Sequence, residues 1–282
     1  MQCTTIIPCY NEAPEVLLDT IQRLERSFSA IEGLQSEIIV VDDGSTRHSY
    51  EGRLPATVKL VRHHTNYGYG AALRSGVQRA THPWIGIIDA DSTYPAERMA
   101  EFLTHVPEFD MVVGARRWQD ISLARRFPKM LLTRFASFLA ESEIPDLNSG
   151  MRIFRKSIYT EYARMFPKGF SFSSTLTMIC LTRGFEVKHV PIDYFTRTGT
   201  SSIKPIQDTV RFFSIVTMLA IHYRPLRVFV PLSLALLVAA TLRGVRDMVV
   251  THHLGGLCLV IFFLGFQAFF FGLLAEVISK KS

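Results

Sequence analysis

The sequence predicts an α/β domain with a mainly parallel sheet, followed by a C-terminal two-helix membrane hairpin. Two observations carry this. Short apolar β-type runs alternate with helical periods over the first 120 residues, the grammar of strands joined by crossover helices. Residues 254–275 then hold no charge over 22 positions, enough for a helix to cross a hydrocarbon layer about 30 Å thick. The 282 residues are 48% apolar and 20% charged, with a mean hydropathy of +0.19, which excludes a disordered chain and a disulfide-stapled miniprotein.

The elements follow in order. Thr4–Ile7 reads as a strand, and Pro14 opens a helix with Val16, Leu17, Ile21, Leu24 and Phe28 on one face. Glu37–Val41 is an unbroken apolar run suited to burial on both sheet faces, ended by Asp42-Asp43-Gly44-Ser45. Val58–Arg62 is a third strand, followed by Asn66-Tyr-Gly-Tyr-Gly70 and a helix to Ala80. Trp84–Ile88 is a fourth, ending in Asp89-Ala-Asp91, with Pro95 opening the next helix, and Met111–Gly114 is a fifth. Residues 121–140 mix Arg125, Arg126, Lys129 and Arg134 with Leu, Met and Phe. They suit either an interfacial helix or an ordinary amphipathic surface helix.

The chain divides into an α/β domain at 1–204, a juxtamembrane amphipathic helix at 205–227 and the hairpin at 228–282. The first span, residues 228–242, lengthens toward Pro225 only if Arg227 snorkels, and an 11-residue connection carries Arg243 and Arg246. Arg224, Arg227, Lys280 and Lys281 flank the hairpin on the other side, and no signal peptide precedes the first strand. The expectation is an integral membrane protein whose α/β domain lies in the cytosol. Four cysteines without framework or metal spacing fit a reducing compartment. A net charge of +6 without a long basic run argues against nucleic acid and for phosphates or anionic headgroups. His63-His64 and His252-His253 read as surface pairs, because adjacent histidines diverge in a strand.

In open α/β sheets ligands bind beyond the carboxyl ends of the strands. Three of the first four strands end in polar clusters there: Cys9–Glu12, Asp42–Ser45 and Asp89–Asp91. Asp89 and Asp91, one residue apart, can share a hard divalent cation with a diphosphate if the backbone turns at Ala90. An Asp at a strand end such as Asp42 can accept a base N–H or equally cap a turn.

IIPCYNE, EIIVVDDGS, NYGYGAAL and DADSTYP, in this order and spacing, resemble the family-2 glycosyltransferases of GT-A fold. DLNSGMRIFRKS, GFSFSSTLTM and RTGTSSIKP, followed by the hairpin, resemble the polyprenyl-phosphate hexosyltransferase branch typified by dolichol-phosphate mannose synthase. The resemblance spans most of residues 4–208. It implies a nucleotide-sugar pocket containing Pro8, Tyr10, Glu12 and Asp42, with Asp89 and Asp91 holding Mg²⁺ or Mn²⁺ and the donor phosphates. It also implies that Asp146, Ser149 and Gly150 shape the acceptor loop, and that Arg197 and Lys204 close over the diphosphates. Thr93 stands where many dolichol-phosphate mannose synthases have Gln.

The acceptor is argued from chemistry. A phosphate monoester, with a second pKa of about 6, is already an anionic nucleophile near neutral pH and needs cations rather than a base. Ser171–Thr177, where hydroxyl-acceptor relatives carry a carboxylate, contains none. Cations available to such a phosphate are Arg116, Arg117, Arg126, Arg134 and Arg197, with Arg117, Arg134 and Arg197 the first choices for the transfer itself. The expected reaction is inverting, metal-dependent hexose transfer from a UDP- or GDP-sugar to a polyprenyl phosphate. The alternatives are a glycan or lipid hydroxyl acceptor, and a non-catalytic nucleotide-sugar or lipid-binding partner. A homo-oligomer formed through the hairpins stays open.

Overall fold

A computed structural model describes residues 1–117, 123–166, 171–195, 213–214, 217–218, 220–222 and 224–279; within 123–132 only Met130 has a described side chain. Arg197, Lys204 and most of the expected juxtamembrane helix lie outside the described residues, as does the side chain of Arg126.

Seven strands form one sheet: β1 (Gln2–Cys9), β2 (Gln35–Asp42), β3 (Val58–Arg62), β4 (Trp84–Ile87), β5 (Met111–Arg116), β6 (Arg152–Arg155) and β7 (Val187–Ile192), in the order β3-β2-β1-β4-β6-β5-β7. All neighbours pair in parallel except β6, which runs antiparallel to both β4 and β5. The chain leaves β1 toward β2 and β3 on one side and returns to β4 on the other. That reversal opens a crevice beyond the carboxyl ends of β1 and β4.

Alternation along the strands divides the core into two faces. Ile6, Ile39, Val41, Ile85 and Ile87 face α2 (Tyr69–Arg79), α4 (Leu123–Ala140) and α6 (Phe172–Thr182). Ile7, Val40 and Val112 face α1 (Pro14–Ser29) and α3 (Met99–Leu103). Pro14 sits at the first turn of α1, where its missing N–H costs nothing, and Leu17, Ile21, Leu24 and Phe28 are buried. Val16, expected on that face, is only half-buried; Thr20 occupies the buried position instead, its hydroxyl bonded back to Val16 O at 3.2 Å. Each fully buried Leu, Ile or Phe contributes about 1.5–3 kcal/mol. Short α5 (Lys156–Glu161) follows β6.

The hairpin is α7 (Leu226–Thr251) and α8 (Gly256–Ser279), each long and apolar enough to cross a membrane. At 1.5 Å per residue they extend about 39 and 36 Å. Glycines let them approach: a Cβ on Gly272 would lie 2.7 Å from Phe229, and one on Gly265 3.1 Å from Leu237. The expected 11-residue connection is instead four residues, 252–255. Arg243 and Arg246 belong to the last turns of α7, where Arg243 pairs with buried Asp247 at 3.0 Å, a helical spacing of four that hid the pair in a charged stretch resembling a loop. Arg227 turns to the end of α4, donating to Phe138 O at 2.6 Å and pairing with Glu141, which also pairs with Arg224. Glu141 follows α4 in the left-handed region, at φ +56°. This clasp joins the end of α4 to the start of the hairpin.

Candidate active site

The crevice is assembled from strand-end loops that bond to one another. After β1, Asn11 adopts φ +56°, and its Oδ1 accepts the N–H groups of Thr46 and Arg47, each at 2.9 Å. Its own N–H donates to Ser45 Oγ at 2.8 Å, and Tyr50 OH donates to Glu12 O at 2.7 Å. The loops after β1 and β2 are thereby one unit. Pro8 is buried inside β1, Glu12 is half-buried, and Tyr10, just past the end of β1, is exposed.

Asp42 is buried, and its Oδ1 accepts the N–H of Ser45 at 2.8 Å, with Arg62 Nε 3.5 Å from Oδ2. The turn-capping role open in the sequence is therefore present. Gly44 is required by that turn: its φ is +71°, and a Cβ would meet the Thr65 backbone at 2.4 Å. Asp43, also buried, accepts from Tyr67 N at 3.0 Å and Gly68 N at 2.8 Å, and its Oδ1 lies 2.7 Å from His63 Nδ1. His63 Nε2 in turn contacts Ser75 Oγ at 2.8 Å. His63 is thus no surface residue; it ends β3 with its ring turned inward to the buried carboxylate, while His64 points out. Nothing local in the sequence distinguishes the two.

At the end of β4 the backbone turns at Ala90 and Asp91, and Ser92 follows at φ +55°. Asp89 Oδ1 accepts the hydroxyl of Tyr69 at 2.9 Å. Asp91 Oδ1 accepts both the hydroxyl of Thr93 at 2.6 Å and its N–H at 3.2 Å, so Thr93 orients Asp91. The two carboxylates offer an all-oxygen set suited to Mg²⁺ or Mn²⁺. No group of three His, Cys, Asp or Glu side chains gathers there among the described residues, so further ligands would come from a bound diphosphate or water. The residues fit such an ion.

On the opposite wall, Asp146 is fully buried and takes Arg116 in a fork: Nε to Oδ2 at 2.6 Å and Nη2 to Oδ1 at 3.0 Å. Arg116 was a candidate for the acceptor; its side chain is committed instead to the loop that holds Ser149 and Gly150, and its guanidinium lies over Tyr194. Gly150 N donates to Tyr94 OH at 2.7 Å. Arg152, fully buried at the start of β6, donates to Ser149 O at 2.5 Å, Ser173 O at 2.8 Å and Thr177 Oγ1 at 3.0 Å, fastening α6 to the same loop. Burial pushes the Arg152 pKa down. Ser171 and Thr175, at the start of α6, keep buried hydroxyls without a hydrogen-bond partner among the described residues.

Arg117 is exposed at the end of β5, 3.4 Å from exposed Asp193, a pair that solvent leaves weak and free to exchange. Arg134 is exposed on α4, whose other face buries Thr133, Ala136 and Leu139 against the core. Phe195 N donates to Thr93 O at 2.9 Å, so the segment after β7 is fastened to the loop that follows β4.

A model of glycosyl transferase family 2 matches residues 4–163, more than half of the chain and every strand-end loop named above except the one after β7. The chain belongs to glycosyl transferase family 2. The GtrB C-terminal hairpin model matches residues 224–280 of this glycosyltransferase, the two apolar helices. An undecaprenyl-phosphate 4-deoxy-4-formamido-L-arabinose transferase of Salmonella paratyphi B is 26% identical over 295 residues, covering 98% of this chain and 88% of its own. A dolichyl-phosphate hexose transferase of Haloferax volcanii is 26% identical over 175 residues, covering 61% of this chain and 75% of its own. Among solved structures, the mannosyltransferase PcManGT of Pyrobaculum calidifontis, in complex with GDP-Man and Mn²⁺, superposes with a TM-score of 0.51 at 19% identity, covering 98% of this chain and 86% of its own. Glucosyl-3-phosphoglycerate synthase of Mycobacterium tuberculosis reaches 0.57 at 18% identity, covering 78% of this chain and 79% of its own. These likenesses establish the GT-A fold.

Proposed function

We propose that this glycosyltransferase moves a hexose from a UDP- or GDP-sugar to a polyprenyl phosphate at the cytosolic membrane face, inverting the anomeric configuration. The observation that carries the reading is the start of α6. Ser171–Thr177 borders the acceptor loop through Arg152 and bears no carboxylate. Among the described residues, Asp42, Asp43, Asp89, Asp91 and Asp146 each hold a partner, in Ser45, His63, Tyr69, Thr93 and Arg116 respectively. A hydroxyl acceptor needs a base, whereas an ionised phosphate does not. Relatives that act on dolichyl and undecaprenyl phosphates support the same acceptor class.

In this reading Tyr10, Glu12 and Asp42, on the loops beyond Pro8, hold the nucleoside, and Asp89 and Asp91 hold Mg²⁺ or Mn²⁺. The ion, when bound, neutralises the departing nucleoside diphosphate. Arg117 and Arg134 orient the lipid phosphate through planar bidentate hydrogen bonds, and Arg197 and Lys204 cover the diphosphate. Ser149 and Gly150 fix the acceptor loop so that the phosphate oxygen attacks the anomeric carbon from the face opposite the nucleotide. The hairpin keeps the crevice beside a substrate confined to the bilayer. Purified full-length protein given a donor sugar together with polyprenyl phosphate, polyprenol or diacylglycerol should glycosylate the phosphate alone. Transfer to either alcohol would refute the reading.

A further inference from the structure

Asp89 is gripped from two sides. Tyr69, the first residue of α2, donates its hydroxyl to Oδ1 at 2.9 Å. Opposite it, Gly150 comes so close that a Cβ there would lie 2.2 Å from Asp89 Oδ2, so only hydrogen fits. Neither jaw is loose. Gly150 N is held by Tyr94 OH at 2.7 Å. Tyr69 is held by the turn before it, where Asp43 takes the N–H groups of Tyr67 and Gly68 and, through His63, reaches Ser75 on the next turns of α2.

The geometry points to Tyr69 as a positioning residue whose hydroxyl presses the Asp89 carboxylate against Gly150 in the orientation that receives a divalent cation. The vise also ties the Asn66–Gly70 turn on the donor side to the 146–150 loop on the acceptor side through one carboxylate. A free carboxylate rotates about its side-chain torsions; one oriented in advance pays less on binding, which is the gain a supporting hydrogen bond gives a ligand residue. The inference rests on the proposed assignment of Asp89 to the metal.

The test is Mn²⁺ binding to the full-length, substrate-free protein in detergent, read by the loss of the free Mn²⁺ electron paramagnetic resonance signal. Tyr69→Phe removes one oxygen and keeps the ring. It should weaken Mn²⁺ binding roughly ten-fold, the worth of one hydrogen bond to a charged acceptor, with the metal-free melting midpoint nearly unchanged. Gly150→Ala, crowding the same carboxylate from the other side, should weaken binding at least as much. Unchanged Mn²⁺ affinity in Tyr69→Phe, or a loss that appears only together with unfolding, would overturn the inference. So would absence of Mn²⁺ binding by the parent protein. Failure of the parent to glycosylate a lipid phosphate would count against the acceptor assignment alone and leave the metal-binding result intact.

Discussion

Substituting Asp146 by Asn probes how the acceptor-side loop is held. Asp146 is fully buried and receives the fork of Arg116 at 2.6 and 3.0 Å, together with the backbone N–H groups of Arg116 and Asn148, each at 3.3 Å. Asn is nearly isosteric but removes the charge and turns one acceptor into a donor aimed at Arg116. The guanidinium, with only 15% of its side chain exposed, is then left without its counter-charge. Breaking a buried ion pair by removing one partner costs about 3–5 kcal/mol. For a domain of about 200 residues, where each kcal/mol shifts the midpoint about 2–4 °C, the melting temperature should fall by roughly 6–20 °C. The assay is thermal unfolding of the full chain in detergent followed by near-ultraviolet circular dichroism. A melting temperature within 1 °C of the parent, or a selective rise in lipid KM without destabilisation, would refute the reasoning.

Other consequences are equally direct. Asp91→Ala should abolish most transfer while shifting the melting midpoint little; near-normal activity would remove Asp91 from the metal site. Burial raises the Glu37 pKa, but Lys59, Thr4 and Thr81 outweigh it and bring the carboxyl down to about 2 from an ordinary 4.5. Its contribution is therefore complete above pH 4.5 and is lost as pH falls from there toward 2, so acid titrations of stability should show a shallower fall over that window in Glu37→Gln than in the parent. Glu141→Ala opens the clasp to Arg224 and Arg227. Because those pairs are partly exposed, stability should change by no more than about 1 kcal/mol, while transfer to a long-chain lipid should fall several-fold more than transfer to a short, water-soluble prenyl phosphate.

The strands that build the donor side were legible because each is an apolar run stopped by polar, turn-forming residues. Val58–Arg62 is found as expected, and Glu37–Val41 and Met111–Gly114 are found with three and two residues more. β6 and β7 escaped for physical reasons. Arg152-Ile-Phe-Arg155 is four residues with a cation at each end, and Val187–Ile192 contains Lys188, His189 and Pro191, so neither shows a period of two or a long apolar core. The Asp89–Asp91 pair was readable from its place at a strand end, but the groups that orient it were not. Tyr69 and Gly150 lie 20 and 61 residues from Asp89 in sequence; Gly150 meets it because β6 pairs antiparallel with β4, and Tyr69 because α2 packs on the same sheet. His63 was misassigned for the same reason, since its partner Asp43 becomes buried only when β2 and β3 pair. Arg116 looked available because a strand-end arginine carries no sign of the carboxylate thirty residues later that engages it.

The linkage in the product tests the central claim most directly: a lipid phosphate oxygen attacks without a protein base. Membranes containing this glycosyltransferase, incubated separately with labelled UDP- and GDP-sugars, should yield a labelled lipid from which mild acid releases the sugar, as it does from a glycosyl phosphate. A labelled lipid that survives mild acid, the mark of a sugar joined to an alcohol, would contradict the account.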